Sequence, residues 1–194
     1  AEQQMDGVRR AGGWRAGSPR YSQAVRTPLA NWAGNVVFAA ARAHTPTSIE
    51  ELQDVVSTSR LVRPFGTAHS FNKIADTPGD LVSVAALPKV VEIDRPASMV
   101  TVSGGMRYGV LAARLNAEGF ALRNLGSLPH ISIAGACSTG THGSGRTNGS
   151  LSSSVSSIDV VTASGELVLL SRAADRDFFN GAVVALGCLG VVTQ

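Results

Sequence analysis

The stretch best suited to chemistry runs from Gly126 to Gly145, Gly-Ser-Leu-Pro-His-Ile-Ser-Ile-Ala-Gly-Ala-Cys-Ser-Thr-Gly-Thr-His-Gly-Ser-Gly. Small side chains let a backbone approach a ligand closely, and successive N–H groups in such a run form a concavity for anions. Hydroxyls at Ser132, Ser138, Thr139 and Thr141 add donors. A diphosphate is the natural guest, but the run is neither a P-loop nor a dinucleotide fingerprint. No G-x-x-x-x-G-K-[ST] occurs, and Gly143-Ser144-Gly145-Arg146-Thr147-Asn148 lacks the last glycine of G-x-G-x-x-G. On residue chemistry alone, a glycine-rich surface loop stands level with an anion cradle.

His69 is the second candidate. It lies in Pro64-Phe65-Gly66-Thr67-Ala68-His69-Ser70, just past a predicted strand, where a histidine is commonly an ordinary loop residue. His130 follows Leu-Pro and reads as packing, His142 sits among small residues, and His44 reads as structural. No G-x-S-x-G supports hydrolase chemistry, and Asp159 and Asp175 are isolated carboxylates suited to a turn or a cap. Cys137 and Cys188 form neither a disulfide framework nor a zinc motif.

The elements that would position these residues follow from composition and periodicity. The 194 residues are 44% hydrophobic and 16% charged, which suits one domain or two small lobes with a packed core. A net charge of +3 gives no case for nucleic acid as a partner. The sequence has no apolar run of membrane-spanning length and no secretory leader, so no membrane partner and a reducing, cytoplasmic setting are the expectation. Residues 1–30 lack periodicity and read as a flexible extension. A short β run is predicted at residues 36–40. Ser48 with Glu51 forms a capping box that opens a helix ending near Ser59, with Ile49, Leu52, Val55 and Val56 on one face.

Strands are predicted at 61–66, 81–86, 90–93 and 99–103, and a helix at 108–117 stopped by Gly119. Residues 126–149 contain few strong helix or strand formers. Strands at 158–163 and 167–170 flank Ser164-Gly165, a hairpin signal. A helix at about 176–186 leads to a strand start at Val191-Val192. A chain that stops at Gln194, directly after a strand signal, reads as part of a longer protein.

Taken together, five segments resemble the flavin-binding half of the vanillyl-alcohol-oxidase-type flavoproteins, with a PCMH-type FAD-binding domain. They are Asn31-Trp32-Ala33-Gly34-Asn35, Gly66 to Asn72, Gly105-Met106-Arg107-Tyr108-Gly109, Gly126 to Gly143, and Gly187-Cys188-Leu189-Gly190-Val191-Val192-Thr193. Within that family the chain is most similar to the alditol (xylitol) oxidases and the related aldonolactone oxidases.

The resemblance implies an α+β fold of two lobes, about 31–90 and 91–194, each a small sheet with helices, and FAD between them. It implies that His69 bonds through a ring nitrogen to the 8α carbon of FAD, and that Pro64, Phe65, Gly66, Thr67, Ala68 and Ser70 wrap the cofactor. Ser127 would lie near the reactive edge and the substrate hydroxyls. Ser132, Gly135, Ala136, Cys137 and Ser138 would hold the diphosphate, with Thr141, His142 and Gly143 next along the wall; Gly190, Val191 and Val192 would meet the adenosine end.

The implied reaction takes the primary alcohol of a polyol such as xylitol or sorbitol to the aldehyde, with O2 reduced to H2O2. A sugar 1,4-lactone oxidase (gulono-, arabinono- or galactonolactone) is the alternative, and a non-catalytic nucleotide-binding module is the alternative of another class. The family's substrate-positioning groups come from a C-terminal domain, so these 194 residues alone are expected to bind FAD and turn over poorly. No metal is expected. The sequence does not fix the oligomeric state, and a monomer is the working expectation.

Overall fold

Helix α1 (Ile49–Thr58) begins where its cap requires. The Ser48 hydroxyl accepts from the Glu51 amide at 3.2 Å, and the Glu51 carboxylate reaches back to the Thr47 amide and hydroxyl. In this computed structural model, which describes residues 23–24 and 29–194, α1 lies against two sheets. Its Leu52, Val55 and Val56 form one core with Val82, Leu87, Val161 and Val191.

The first sheet holds β1 (Gln23–Ala24), β2 (Arg42–His44), β3 (Val62–Pro64) and β4 (Asp80–Val82), in the order β1-β2-β4-β3. Both β2 and β3 run parallel to β4, while β1 is antiparallel to β2. Apart from β1 and residues 29–30, the expected extension at 1–30 lies outside the described residues. The predicted β run at 36–40 is corrected. Those residues make only a bridge between Val37 and Ala30, and the strand falls at 42–44. There Arg42 meets Asp80 through two hydrogen bonds of 2.6 and 2.7 Å, and His44 Nε2 lies 3.2 Å from the same carboxylate. Burial alone raises the Asp80 carboxyl pKa; hydrogen bonds to Arg42, Ser59 and His44, with the Arg42 charge, outweigh that and hold it below its usual range.

A hairpin follows, β5 (Val91–Asp94) with β6 (Met99–Val102), then α2 (Tyr108–Ala117), which ends at Gly119 with φ +81°. The last sheet is β8 (Leu167–Ser171), β7 (Ser157–Val161) and β9 (Val191–Val192) in that order, all antiparallel, with Gly165 in the turn at φ +83° as its Ser-Gly signal requires. Helix α4 (Arg176–Ala182) is capped by Asp175 and is shorter than predicted. The small-residue stretch, poor in helix formers, nonetheless contains one short helix, α3 (Ile133–Ser138). The chain is thus a small mixed fold of helices and sheets. Among the described residues no helix is long and apolar enough to cross a membrane.

Leu52 is fully buried where α1 meets both sheets. Leu52→Ala is expected to lower the free energy of unfolding by about 2–5 kcal/mol in urea denaturation, and a loss below about 1 kcal/mol would contradict this packing.

Candidate functional site

Three separated segments converge on a cavity of about 450 Å³. The first wall is the loop leaving β3, Pro64, Phe65, Gly66, Thr67, Ala68, His69 and Ser70. The second is Gly126, Ser127 and Leu128 with Ser132, Gly135, Ala136, Ser138, Thr141 and His142. The third is Leu186 and Gly187 with Gly190, Val191 and Val192 on and before β9. Of the residues that the resemblance assigns to the cofactor, all but Cys137 and Gly143 line it. Cys137 faces the core, where its thiol lies 3.3 Å from the Tyr108 hydroxyl, and burial pushes both pKa values up. Gly143 packs against the Asn124–Leu125 backbone, where a Cβ would collide with the Leu125 carbonyl.

Local geometry explains why these walls meet. Gly66 faces Gly135, and a Cβ on Gly66 would run into the Ser132 hydroxyl, so the first two walls approach at backbone distance. Gly187, at φ +76°, seats against Pro64; a Cβ there would lie 2.5 Å from Pro64 Cγ. Arg63 donates to the Leu186 carbonyl at 3.1 Å and fastens the third wall to β3.

Among the described residues no charged side chain lines the cavity. The amides of residues 66–70 donate to no acceptor among the described residues, while Ala68 has the positive φ (+54°) that turns successive N–H groups into a concavity. The carbonyl side of the same run is occupied. The Ala68 carbonyl accepts from the Trp32 amide at 2.8 Å, Ser70 from the Asn31 side chain at 2.9 Å, and Phe71 from the Asn35 side chain at 3.2 Å. Free amides, the hydroxyls of Ser132, Ser138, Thr139 and Thr141, and apolar faces from Ile74, Val82, Val84 and Val191 suit a ligand that joins an anion to flat apolar rings. Among the described residues no group of three or more His, Cys, Asp or Glu could hold a metal ion.

His69 stands at the cavity wall in a tight setting. Its Nδ1 lies 3.1 Å from the Thr67 carbonyl, which only accepts, so Nδ1 carries the hydrogen and Nε2 the lone pair. That Nε2 lies 2.6 Å from Nε2 of His130, which therefore donates. Trp32 stacks on the imidazole with centroids 4.9 Å apart and planes 21° apart. Two of these partners were not legible as such: His130 read as packing, and Trp32 was only part of a motif. The histidines are 61 positions apart, and no local signal pairs them. The wall residues Ile74, Ala75, Val82, Val84 and Leu186 were missed because an apolar residue beside a strand reads equally as core.

Burial first, then the charge of His130, lower the His69 pKa from 6.5; the Thr67 carbonyl partly offsets them, and the Arg107 charge adds to the lowering. The ring is neutral at neutral pH and holds a nucleophilic lone pair. Because the folded value is depressed, this group's contribution to stability is complete above about 6.5 and falls as the pH drops through the folded value. An NMR titration is expected to show a His69 midpoint below 6.5, rising towards it in His130→Ala; an upward-shifted midpoint would contradict the geometry.

A family model described as a FAD binding domain matches residues 40–171. The chain is 48% identical over 170 residues to an alditol oxidase from a Streptomyces species, covering 86% of this chain and 40% of that protein. It is 38% identical over 168 residues to an L-gulono-1,4-lactone dehydrogenase from Mycobacterium tuberculosis, covering 84% of this chain and 39% of the relative. An L-gulonolactone oxidase from Bos taurus is 32% identical over 166 residues, with coverage of 84% and 38%. The chain spans about two fifths of the length of these relatives. With a cavity whose free amides suit the diphosphate of the cofactor, the chain belongs to the FAD binding domain family, among oxidoreductases related to alditol and sugar-lactone oxidases.

Proposed function

We propose that this cavity holds FAD between two lobes, about 31–90 and 91–194, for an oxidase that converts the primary alcohol of an alditol such as xylitol or sorbitol to the aldehyde. The observation that carries the reading is the convergence of the 64–70 loop and the 126–142 stretch on one cavity free of charged side chains, with a neutral imidazole at its wall. The choice of an alditol rests on 48% identity to the Streptomyces enzyme against 38% to the lactone dehydrogenase. FAD, when bound, supplies the two-electron acceptor for hydride from the alcohol carbon, and O2 takes the electrons on as H2O2.

The remaining roles belong to the chain. Amides of residues 66–70 and of Gly135, with the hydroxyls of Ser132 and Ser138, hold the diphosphate by neutral hydrogen bonds, and Ala136 lies beside them on the wall. Cys137 serves there from behind, by packing α3 on Tyr108. Thr141 and His142 continue the same wall, and Gly143 lets it lie flat on residues 124–125. Gly190, Val191 and Val192 meet the adenosine end, while Ser127 offers a hydroxyl beside the reactive edge where the substrate approaches. His69 is joined through a ring nitrogen to the 8α carbon, so the cofactor stays in register with these groups.

The sugar-lactone reading keeps every one of these cofactor contacts and differs only in the substrate, which the two lactone relatives bring into consideration. The tether is tested by acid precipitation of the chain loaded with FAD. The yellow colour is expected to stay in the pellet of the parent and to move to the supernatant in His69→Ala. A colourless parent pellet beneath a yellow supernatant would overturn the tether.

A further inference from the structure

The motif Asn31-Trp32-Ala33-Gly34-Asn35 has no part in the reading above, yet the structure sets it directly against the His69 loop. Asn31 is buried and makes the turn: its amide donates to the Val36 carbonyl at 2.9 Å, its side-chain oxygen accepts from the Val36 amide at 3.0 Å, and Gly34, at φ +73°, closes back on the Asn31 carbonyl. The Asn31 side-chain nitrogen also spans Asn35 Oδ1 and the Ser70 carbonyl. The turn therefore takes three carbonyls from residues 68–71 and leaves Trp32 lying over His69.

Trp32 is 61% exposed, so core burial does not account for its position. Its one organised contact is with the imidazole face, at 21° and 4.9 Å, with His130 tilted beyond at 6.1 Å. An imidazole on a loop otherwise turns broadly about its last side-chain bond. Here it is fixed from three directions: the Trp32 ring on one face, the Thr67 carbonyl at Nδ1 and His130 at Nε2.

We propose that the turn of residues 31–35 is a positioning clasp for covalent flavin attachment, in which Trp32 holds the His69 ring at the angle from which it bonds to the cofactor. The inference rests on the His69 tether proposed above. Attachment forms one N–C bond between a His69 ring nitrogen and the 8α carbon. One proton leaves the imidazole and one leaves the 8α methyl group; the two electrons released are taken up by the bound FAD and pass, with two protons, to O2, giving H2O2. Trp32 takes no part in the bond making; it is a positioning residue whose loss leaves the ring free to rotate away from attack.

The test compares the parent chain with Trp32→Ala and Trp32→Phe, each prepared from a riboflavin-starved host and mixed with FAD in air. Timed samples are acid-precipitated and flavin retained in the pellet is measured. The quench of flavin fluorescence on mixing, before attachment, gives the affinity for untethered FAD, and samples without FAD give the thermal midpoint. Losing an aromatic stack is expected to slow attachment roughly two- to tenfold in Trp32→Ala. Trp32→Phe is expected to recover most of the rate, and affinity and thermal midpoint to stay near those of the parent. If Trp32→Ala does not fold, Trp32→Leu, of similar bulk but without an aromatic face, replaces it. Attachment at the parent's rate, or slowing only in proportion to lost affinity for untethered FAD, would overturn the clasp alone. A parent that retains no flavin after acid would overturn the tether beneath it.

Discussion

A diphosphate can be held without lysine or arginine only if backbone amides are turned towards it, and a loop can turn its amides inward only if something else takes its carbonyls. That division organises this molecule. Residues 66–70 present amides that no acceptor among the described residues satisfies, while the carbonyls of Ala68, Ser70 and Phe71 are taken by the turn at residues 31–35. Residues 66–70 are exposed or half-buried at the cavity wall, so their amides are open to solvent or to a ligand, and a run of them turned one way suits an anion. Among the described residues the walls are uncharged, so flat rings would pack against Val82, Val84 and Val191 without desolvating a fixed charge.

The rest of the fold keeps three walls from three parts of the chain in register. The core of α1 with Val82, Val161 and Val191 joins the first sheet to the last, so the loop after β3 and the approach to β9 are anchored to one core. Gln53 on α1 donates to the Gly165 carbonyl in the β7–β8 turn at 2.7 Å and ties the same elements at their far end. Glycine at 66, 135 and 187 then allows backbone-distance contact where any side chain would hold the walls apart. A slightly smaller core residue is felt at the cavity because interiors are close-packed and transmit displacement.

The legible parts of the sequence were those fixed by local chemistry. Ser48 and Glu51 define the start of α1, Gly119 the end of α2, and Ser164-Gly165 the β7–β8 hairpin, because caps and turns depend on residues a few positions apart. Most of the candidate cavity residues were named only through the resemblance, because on residue chemistry alone the small-residue run reads equally as a surface loop. What was not legible depended on distant partners. Residues 36–40 look like a strand, yet the parallel pairing to β4 falls to Arg42–His44, where Asp80 supplies a carboxylate for Arg42 and His44. Helix α3 is built of small residues with weak preferences and forms because Ala136 and Cys137 pack on Tyr108, Leu151 and Phe179. Cys137 belonged to the small-residue run by sequence and to the core by geometry, since alternate sides of one short helix face opposite ways. The contacts of His69 with His130 and Trp32 exist only after loops distant in sequence have closed.

We propose that backbone amides at residues 66–70, not charged side chains, receive the diphosphate. It is tested most directly by a crystal structure of the chain with FAD bound. Diphosphate oxygens are expected within hydrogen-bond distance of those amides, with the carbonyls of Ala68, Ser70 and Phe71 still held by residues 31–35. A diphosphate seated away from that loop, or balanced by an arginine or lysine drawn into the cavity, would contradict it.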